Sequence, residues 1–227
     1  IDEFDLDRMR FSVPATNISG IRANIYQKKP LVEPAEVVTD TATTEPAPAL
    51  DVDLGEFNLK DIAVDYGNDV SAFYTNLQLG ELNIDADDVN MQQQLVRLNE
   101  IHLNNTTARV RLGKSESAKV VEEEVEQETE QQANSGWRIY VDDLQLNNNN
   151  LAFANDNEPA LKDGIDYAHL DVKSLTLHAD NFVFAPDSIA GTITKGEMRE
   201  QSGFVLNKLQ TNFLYAAKEA YLRDLLI

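Results

Sequence analysis

Along most of the chain apolar residues come two apart, with a polar residue between them. Phe4 and Leu6, Phe11 and Val13, then Ile21, Ala23 and Ile25 open the series. It resumes as Val52-Leu54, Phe57-Leu59, Ile62-Val64-Tyr66, Leu77-Leu79, Leu82-Ile84, Val96-Leu98, Ile101-Leu103 and Ala108-Val110-Leu112. A last stretch runs Ile139-Val141, Leu144-Leu146, Leu151-Phe153, Leu170-Val172, Leu175-Leu177, Phe182-Phe184, Ile189 and Ile193. A period of two marks β-strands with one buried face. Asn, Asp and Gly between the pairs, as in Tyr66-Gly67-Asn68-Asp69, are expected to be turns joining short strands. Residues 90–98 offer one helical turn at most. The Tyr215–Leu226 stretch has a helix-like composition, but about 12 residues are marginal for an isolated helix. A strand, a turn at Ala217-Lys218-Glu219 and a second strand agree better with the rest of the chain.

The pattern repeats. Leu54, Phe57, Leu59, Val64, Tyr66 and Asn68-Asp69 correspond to Val141, Leu144, Leu146, Leu151, Phe153 and Asn155-Asp156 at a constant offset of 87. Phe11, Val13, Ile18, Ala23 and Ile25 correspond to Val96, Leu98, Leu103, Ala108 and Val110 at an offset of 85. Units that cannot bury their apolar face alone and stack into a continuous core indicate an elongated, repetitive body. The expected organisation is the end of one β repeat over 1–28, a second repeat over 51–113 and a third over 137–227. Between them lie residues 29–50, rich in Pro, Thr, Ala and Glu, and the glutamate-rich 114–136, both expected to be disordered excursions from turns. Lys29 and Lys114 fall 85 residues apart, so both excursions leave the repeat at the same point.

Charge narrows the partners. With 39 acidic against 19 basic residues the net charge is −20, which opposes nucleic acid and anionic membrane surfaces. No cysteine is present, so there is no disulfide framework, thiolate metal site or cysteine nucleophile. No run approaches the ~20 apolar residues of a membrane helix. The chain begins in mid-pattern with an acidic segment, as an excised piece of a longer, membrane-anchored protein would.

If each strand is one rung of a curled sheet, every second side chain faces one surface. That surface is expected to hold Leu54, Phe57, Leu59, Val64, Tyr66, Leu77, Leu79, Leu82, Ile84, Leu98 and Leu103, and after the acidic segment Leu144, Leu146, Leu151, Phe153, Leu170, Val172, Leu175, Leu177, Phe182 and Phe184. Closed on itself, the sheet would be a structural or adhesive β-repeat protein with a filled core and no ligand. Left half open, it would be an apolar trough, and the ligand suited to such a trough is an acyl chain, because hydrocarbon needs no hydrogen bonds. Pattern alone favours the filled core. Other chemistry is weak. His102, His169 and His178 are isolated in sequence, without the spacing of a metal site. The acidic groups at Asp85-Asp87-Asp88 and Asp156-Glu158 lack the ligand register of a calcium loop. No nucleophile–base pair or phosphate-binding loop stands out, so no enzyme activity, cofactor or metal is expected.

The run from Gly164 to Ile227 resembles the TamB family of the AsmA-like group, in particular its Bacteroidota members. The residues carrying the likeness are Gly164-Ile165-Asp166-Tyr167, the segment Asp187-Ser188-Ile189 with Gly191-Thr192-Ile193, Ser202-Gly203-Phe204, and Phe213-Leu214-Tyr215 with Ala220-Tyr221-Leu222. Residues 11–27 and 96–112 look like weaker members of the same series. The resemblance implies a half-open β groove, or β-taco, in a protein anchored in the inner membrane of a Gram-negative bacterium and spanning the periplasm. It further implies a BamA/TamA-type outer-membrane barrel as partner, and outer membrane biogenesis through phospholipid transport, or translocation and assembly of outer membrane proteins. It carries no catalytic residues. It also shifts the balance from the filled core towards the open trough.

Overall fold

The computed structural model describes residues 3–5, 10–29, 51–114 and 136–227, and in them the chain is all-β. The first strands are β1 (Glu3–Asp5), β2 (Arg10–Ser19) and β3 (Arg22–Gln27). The middle holds β4 (Asp51–Asn68), β5 (Phe73–Asn90), β6 (Leu95–Asn104) and β7 (Thr107–Leu112). After these come β8 (Arg138–Asn155), β9 (His169–Ala185), β10 (Ser188–Glu200), β11 (Val205–Leu206), β12 (Gln210–Ala216) and β13 (Ala220–Leu226). All thirteen belong to one sheet, ordered β1-β2-β4-β5-β6-β8-β9-β10-β12-β13. β3 continues β2 along β4, β7 continues β6 between β5 and β8, and β11 pairs with β10.

The repeat is visible in the pairing. β2 and β3 run parallel to β4, and β6 and β7 run parallel to β8 in the same way. The Gly20 N–H donates to the Lys60 carbonyl and the Ala63 N–H to the Ile21 carbonyl. One period later Asn105 donates to Asn147, and Asn150 to Thr106. Adjacent parallel strands need a long return, because the chain must travel back along the full strand before pairing again. Residues 28–50 make that return from the Asn68 end of β4 to its Asp51 end, and 113–137 make it for β8. The two polar segments thus connect parallel strands, and the expectation that they are excursions from turns falls almost wholly outside the described residues. Their expected disorder concerns 30–50 and 115–135, outside the described residues.

The strands are far longer than the alternation suggests. β4, β5 and β8 each run 18 residues; β4 and β8 contain three of the short apolar groups in one extended segment and β5 two. Between most of those pairs the strand continues through a kink, not a turn: β4 and β5 keep their register across it, while β5–β6, β8–β9 and β9–β10 carry register shifts. Many successive pairs are separated by a step of three, too short to reverse the chain, and Leu103–Ala108, Leu146–Leu151 and Leu177–Phe182 by five. In many of these steps one residue is left-handed: Gly20 (φ 71), Asp61 (52), Ser174 (51), Asn181 (51) and Asp224 (54) directly before an apolar position, and Asn105 (52) and Asn148 (53) directly before the buried Thr106 and Asn149. Asn and Asp tolerate that conformation better than most residues, which explains their recurrence here. Gly20 lies beside Asp61, and Asn105 beside Asn148, with Gly80 of β5 between the two pairs, so the kinks fall in line across the sheet without breaking its register.

The turn expected at Tyr66-Gly67-Asn68-Asp69 is a true reversal, between β4 and β5. Asn68 closes β4, its Oδ1 accepting the N–H groups of Val70 (2.9 Å) and Ser71 (3.2 Å). Residues 91–94 form a turn between β5 and β6, not a helical one. The C-terminal stretch is strand, turn and strand, with β12 and β13 antiparallel, as the reading of residues 215–226 anticipates.

Candidate functional site

Directly opposed residues in neighbouring strands share a face, so the register identifies the apolar surface. One row crosses the sheet as Ile18, Leu59, Leu82, Leu103, Leu146 and Leu177. It ends opposite Gly196, where a Cβ would meet the Leu209 Cβ at 2.8 Å, so the Leu209 side chain occupies the place of the missing one. A second row runs Phe57, Ile84, Ile101, Leu144, Ala179 and Ile193. Beyond one bend lie Val64, Leu77, Ala108, Leu151 and Val172, then Tyr66, Thr75, Val110, Phe153 and Leu170. Beyond the other lie Leu98, Val141 and Phe182, and Val96, Ile139 and Phe184. Leu54 opposite Val13, Leu79 opposite Ile62, and Leu175 opposite Asn149 complete the positions expected from alternation.

Their burial bears on whether the face is filled or open. Among the described residues the buried apolar side chains are only Ala72, Leu79, Leu112, Val141 and Ala179. Of the expected face residues Leu79 alone is buried, Leu151 is exposed, and the others are half-buried. The interior of a filled sandwich would seal most of these leucines and phenylalanines. Here all but Leu79 keep a partial exposure that such an interior would not leave them.

The bend has its own core, which alternation does not reveal. Asn149 is 1% exposed, the most deeply buried polar residue described. Its Oδ1 accepts the Thr106 N–H at 2.8 Å and its Nδ2 donates to the Leu103 carbonyl at 2.9 Å. Thr106, itself buried, lies beside the Gly80 N–H through its Oγ1 at 3.3 Å. These bonds serve backbone groups that the β6–β7 break takes out of the ladder. Within the run Asn147–Asn150 no sequence feature distinguishes this asparagine from its neighbours. Ile62, Ile101, Ile139, Val141 and Ile193 also line the face and do follow the alternation, whereas Leu209 lies in a polar stretch and carries no such signal.

The opposite face is polar, and the histidines there are not isolated. His102 Nε2 lies 3.2 Å from Asp143 Oδ2 and 3.8 Å from Glu100 Oε2, and His178 Nε2 lies 2.8 Å from Asn147 Oδ1. His169 meets Asp166 at 2.9 Å. A shallow cleft of about 420 Å³ on this face is flanked by Tyr26 and Tyr74, whose hydroxyls both donate to Asp69 Oδ1 at 2.6 and 3.0 Å. The Tyr26 ring lies where a Gly67 side chain would be, so it covers the strand glycine. A polar cleft by residues 160–164 holds Asp166 and Glu200, both buried. The Leu161 amide chiefly holds the Asp166 carboxyl below its ordinary value, and Ser202 does so for Glu200. Both carboxylates are thus engaged in fixing loops.

Among the described residues no helix is long and apolar enough to cross a membrane. No protein-family model, curated protein or solved structure matches the chain.

Proposed function

We propose that the apolar face is a hydrocarbon groove, and that the chain is the groove-forming part of a TamB-like protein serving outer membrane biogenesis. The observation that carries this reading is the continuous leucine row from Leu59 to Leu177, whose members are half-buried within a single folded sheet. An apolar strip of this length demands a partner that satisfies it without hydrogen bonds, and phospholipid acyl chains meet that condition. The bends favour a trough over a flat surface, so a chain lying across the strands meets one leucine after another. Transport of phospholipid between the two membranes is the leading role. Translocation or assembly of outer membrane proteins, with a BamA/TamA-type barrel as partner, would use the same face for an unfolded strand. On this reading the protein acts in the periplasm, anchored in the inner membrane by segments beyond this sequence, and catalyses nothing.

Site-specific photocrosslinking tests the reading. A photoreactive phenylalanine at Leu103 should form phospholipid adducts in cells, while the same residue at His102, its polar-face neighbour, should not. Equal adducts at both positions, or none at Leu103 in a folded protein, would remove the basis for a groove.

A further inference from the structure

The polar face carries a second row, built on the register that builds the leucine row. Glu56 stands opposite Asp85, Asp85 opposite Glu100, Glu100 opposite Asp143, and Asp143 opposite Asp180. Like charges directly across a ladder destabilise it, and no lysine or arginine among the described residues forms a salt bridge with any of the five. Among the described residues the basic side chain that meets the row is His102, whose Nε2 is near both Glu100 and Asp143.

We propose that Glu100, His102 and Asp143 form a binding site for a divalent transition-metal ion of the zinc class. One imidazole nitrogen and two carboxylate oxygens lie within 4.8 Å of one another. Ligand atoms around a tetrahedral zinc ion stand about 3.3–3.6 Å apart, given bonds of ~2.0–2.2 Å. The His102–Asp143 separation of 3.2 Å is close to that spacing, and the half-exposed Glu100 side chain needs to close its 3.8 Å only slightly. All three ligands stand on adjacent strands of one sheet, β6 and β8, so their backbones are fixed before any ion arrives. Gln145, opposite His102, donates its Nε2 to Asp143 Oδ2 at 2.8 Å and orients that carboxylate.

A separate observation points to the same place. Asn83 faces His102 from the other side, in β5, and its Oδ1 is buried without a hydrogen-bond partner. An unsatisfied buried oxygen on the residue that opposes His102 in the ladder is explained if an ion, or a water bound to it, supplies the missing contact. The imidazole selects a zinc-like ion over calcium or magnesium, which prefer all-oxygen surroundings. Three protein ligands leave a fourth position for water or for a group from a partner. Neutralising the middle of the carboxylate row would also strengthen the sheet where its like charges meet. The site lies opposite the groove, so it can be occupied whether or not the groove carries lipid.

Calorimetric titration of the EDTA-stripped, dialysed protein with ZnCl2, and separately with MgCl2 and CaCl2, tests this. The expected result is one saturable zinc ion per chain, a rise in melting temperature with zinc, and no comparable response to magnesium or calcium. His102→Gln and Asp143→Asn should each weaken zinc binding about tenfold or more, with far-UV circular dichroism showing both variants folded. His178→Gln, which changes the neighbouring histidine of the same face, should leave binding unchanged. The proposal is overturned if zinc does not bind at millimolar concentration. It is equally overturned if several ions bind without saturation, or if the His102 and Asp143 variants bind as tightly as the unaltered chain or lose no more than His178→Gln.

Discussion

Two rows cross the same strands on opposite faces. On one face Leu59, Leu82, Leu103, Leu146 and Leu177 lie in line; on the other Glu56, Asp85, Glu100, Asp143 and Asp180 do. The hydrogen-bonded backbone brings neighbours of both rows to the same spacing of about 4.8 Å, so the difference in consequence comes from side-chain chemistry alone. In the first row each leucine removes apolar surface of its neighbours from water. In the second each carboxylate raises the free energy of the next. On the two proposals made above, the first row meets hydrocarbon and the second a cation.

The largest expected effect concerns neither row but the bend that separates the wings of the sheet. Asn149→Ala removes the acceptor of the buried Thr106 N–H, and should destabilise the chain by about 1–3 kcal/mol. Chemical denaturation followed by circular dichroism measures it; a loss within error would show that water replaces the side chain and that the bend is not fixed by this asparagine. Next comes Ser174→Gly. Serine there holds a φ of 51°, so glycine should stabilise by up to about 1 kcal/mol in the same assay. Destabilisation would mean that the bulge is not left-handed in solution. The smallest effect belongs to the acidic row. Asp180→Asn removes one like-charge contact with Asp143 and should stabilise the metal-free protein by about 0.2–1 kcal/mol at low salt, less at high salt. A destabilising change would show that the row is held together by contacts other than repelled carboxylates.

Much of the apolar face was legible because a period of two is a direct consequence of the pleat. The repeat was legible because its offsets of 85 and 87 residues preserve both the apolar positions and the left-handed ones, as Gly20 to Asn105 and Asp61 to Asn148 show. The kinks inside the strands read as turns because Asn, Asp and Gly serve both, whereas the reversal at Tyr66-Gly67-Asn68-Asp69 was legible. That β4 pairs parallel to β2 was not legible, because it depends on pairing between strands about 40 residues apart. The contacts of His102 were invisible because Asp143 is 41 residues away in sequence and becomes its neighbour only through the parallel pairing of β6 with β8. Asn149 was hidden among three identical neighbours, distinguished by the bulge at Asn148 and by nothing in its own identity.

The groove itself is tested most directly by native mass spectrometry with lipid extraction on the purified chain and on Ile84→Glu and Leu177→Glu. Both positions are half-buried members of the apolar rows, so a carboxylate there should be tolerated by the fold yet hostile to an acyl chain. Phospholipid on the unaltered protein, lost from variants that remain folded, is the result expected. Bare protein throughout, with both variants unfolded, would contradict the account and mean that the leucine row is a sealed core.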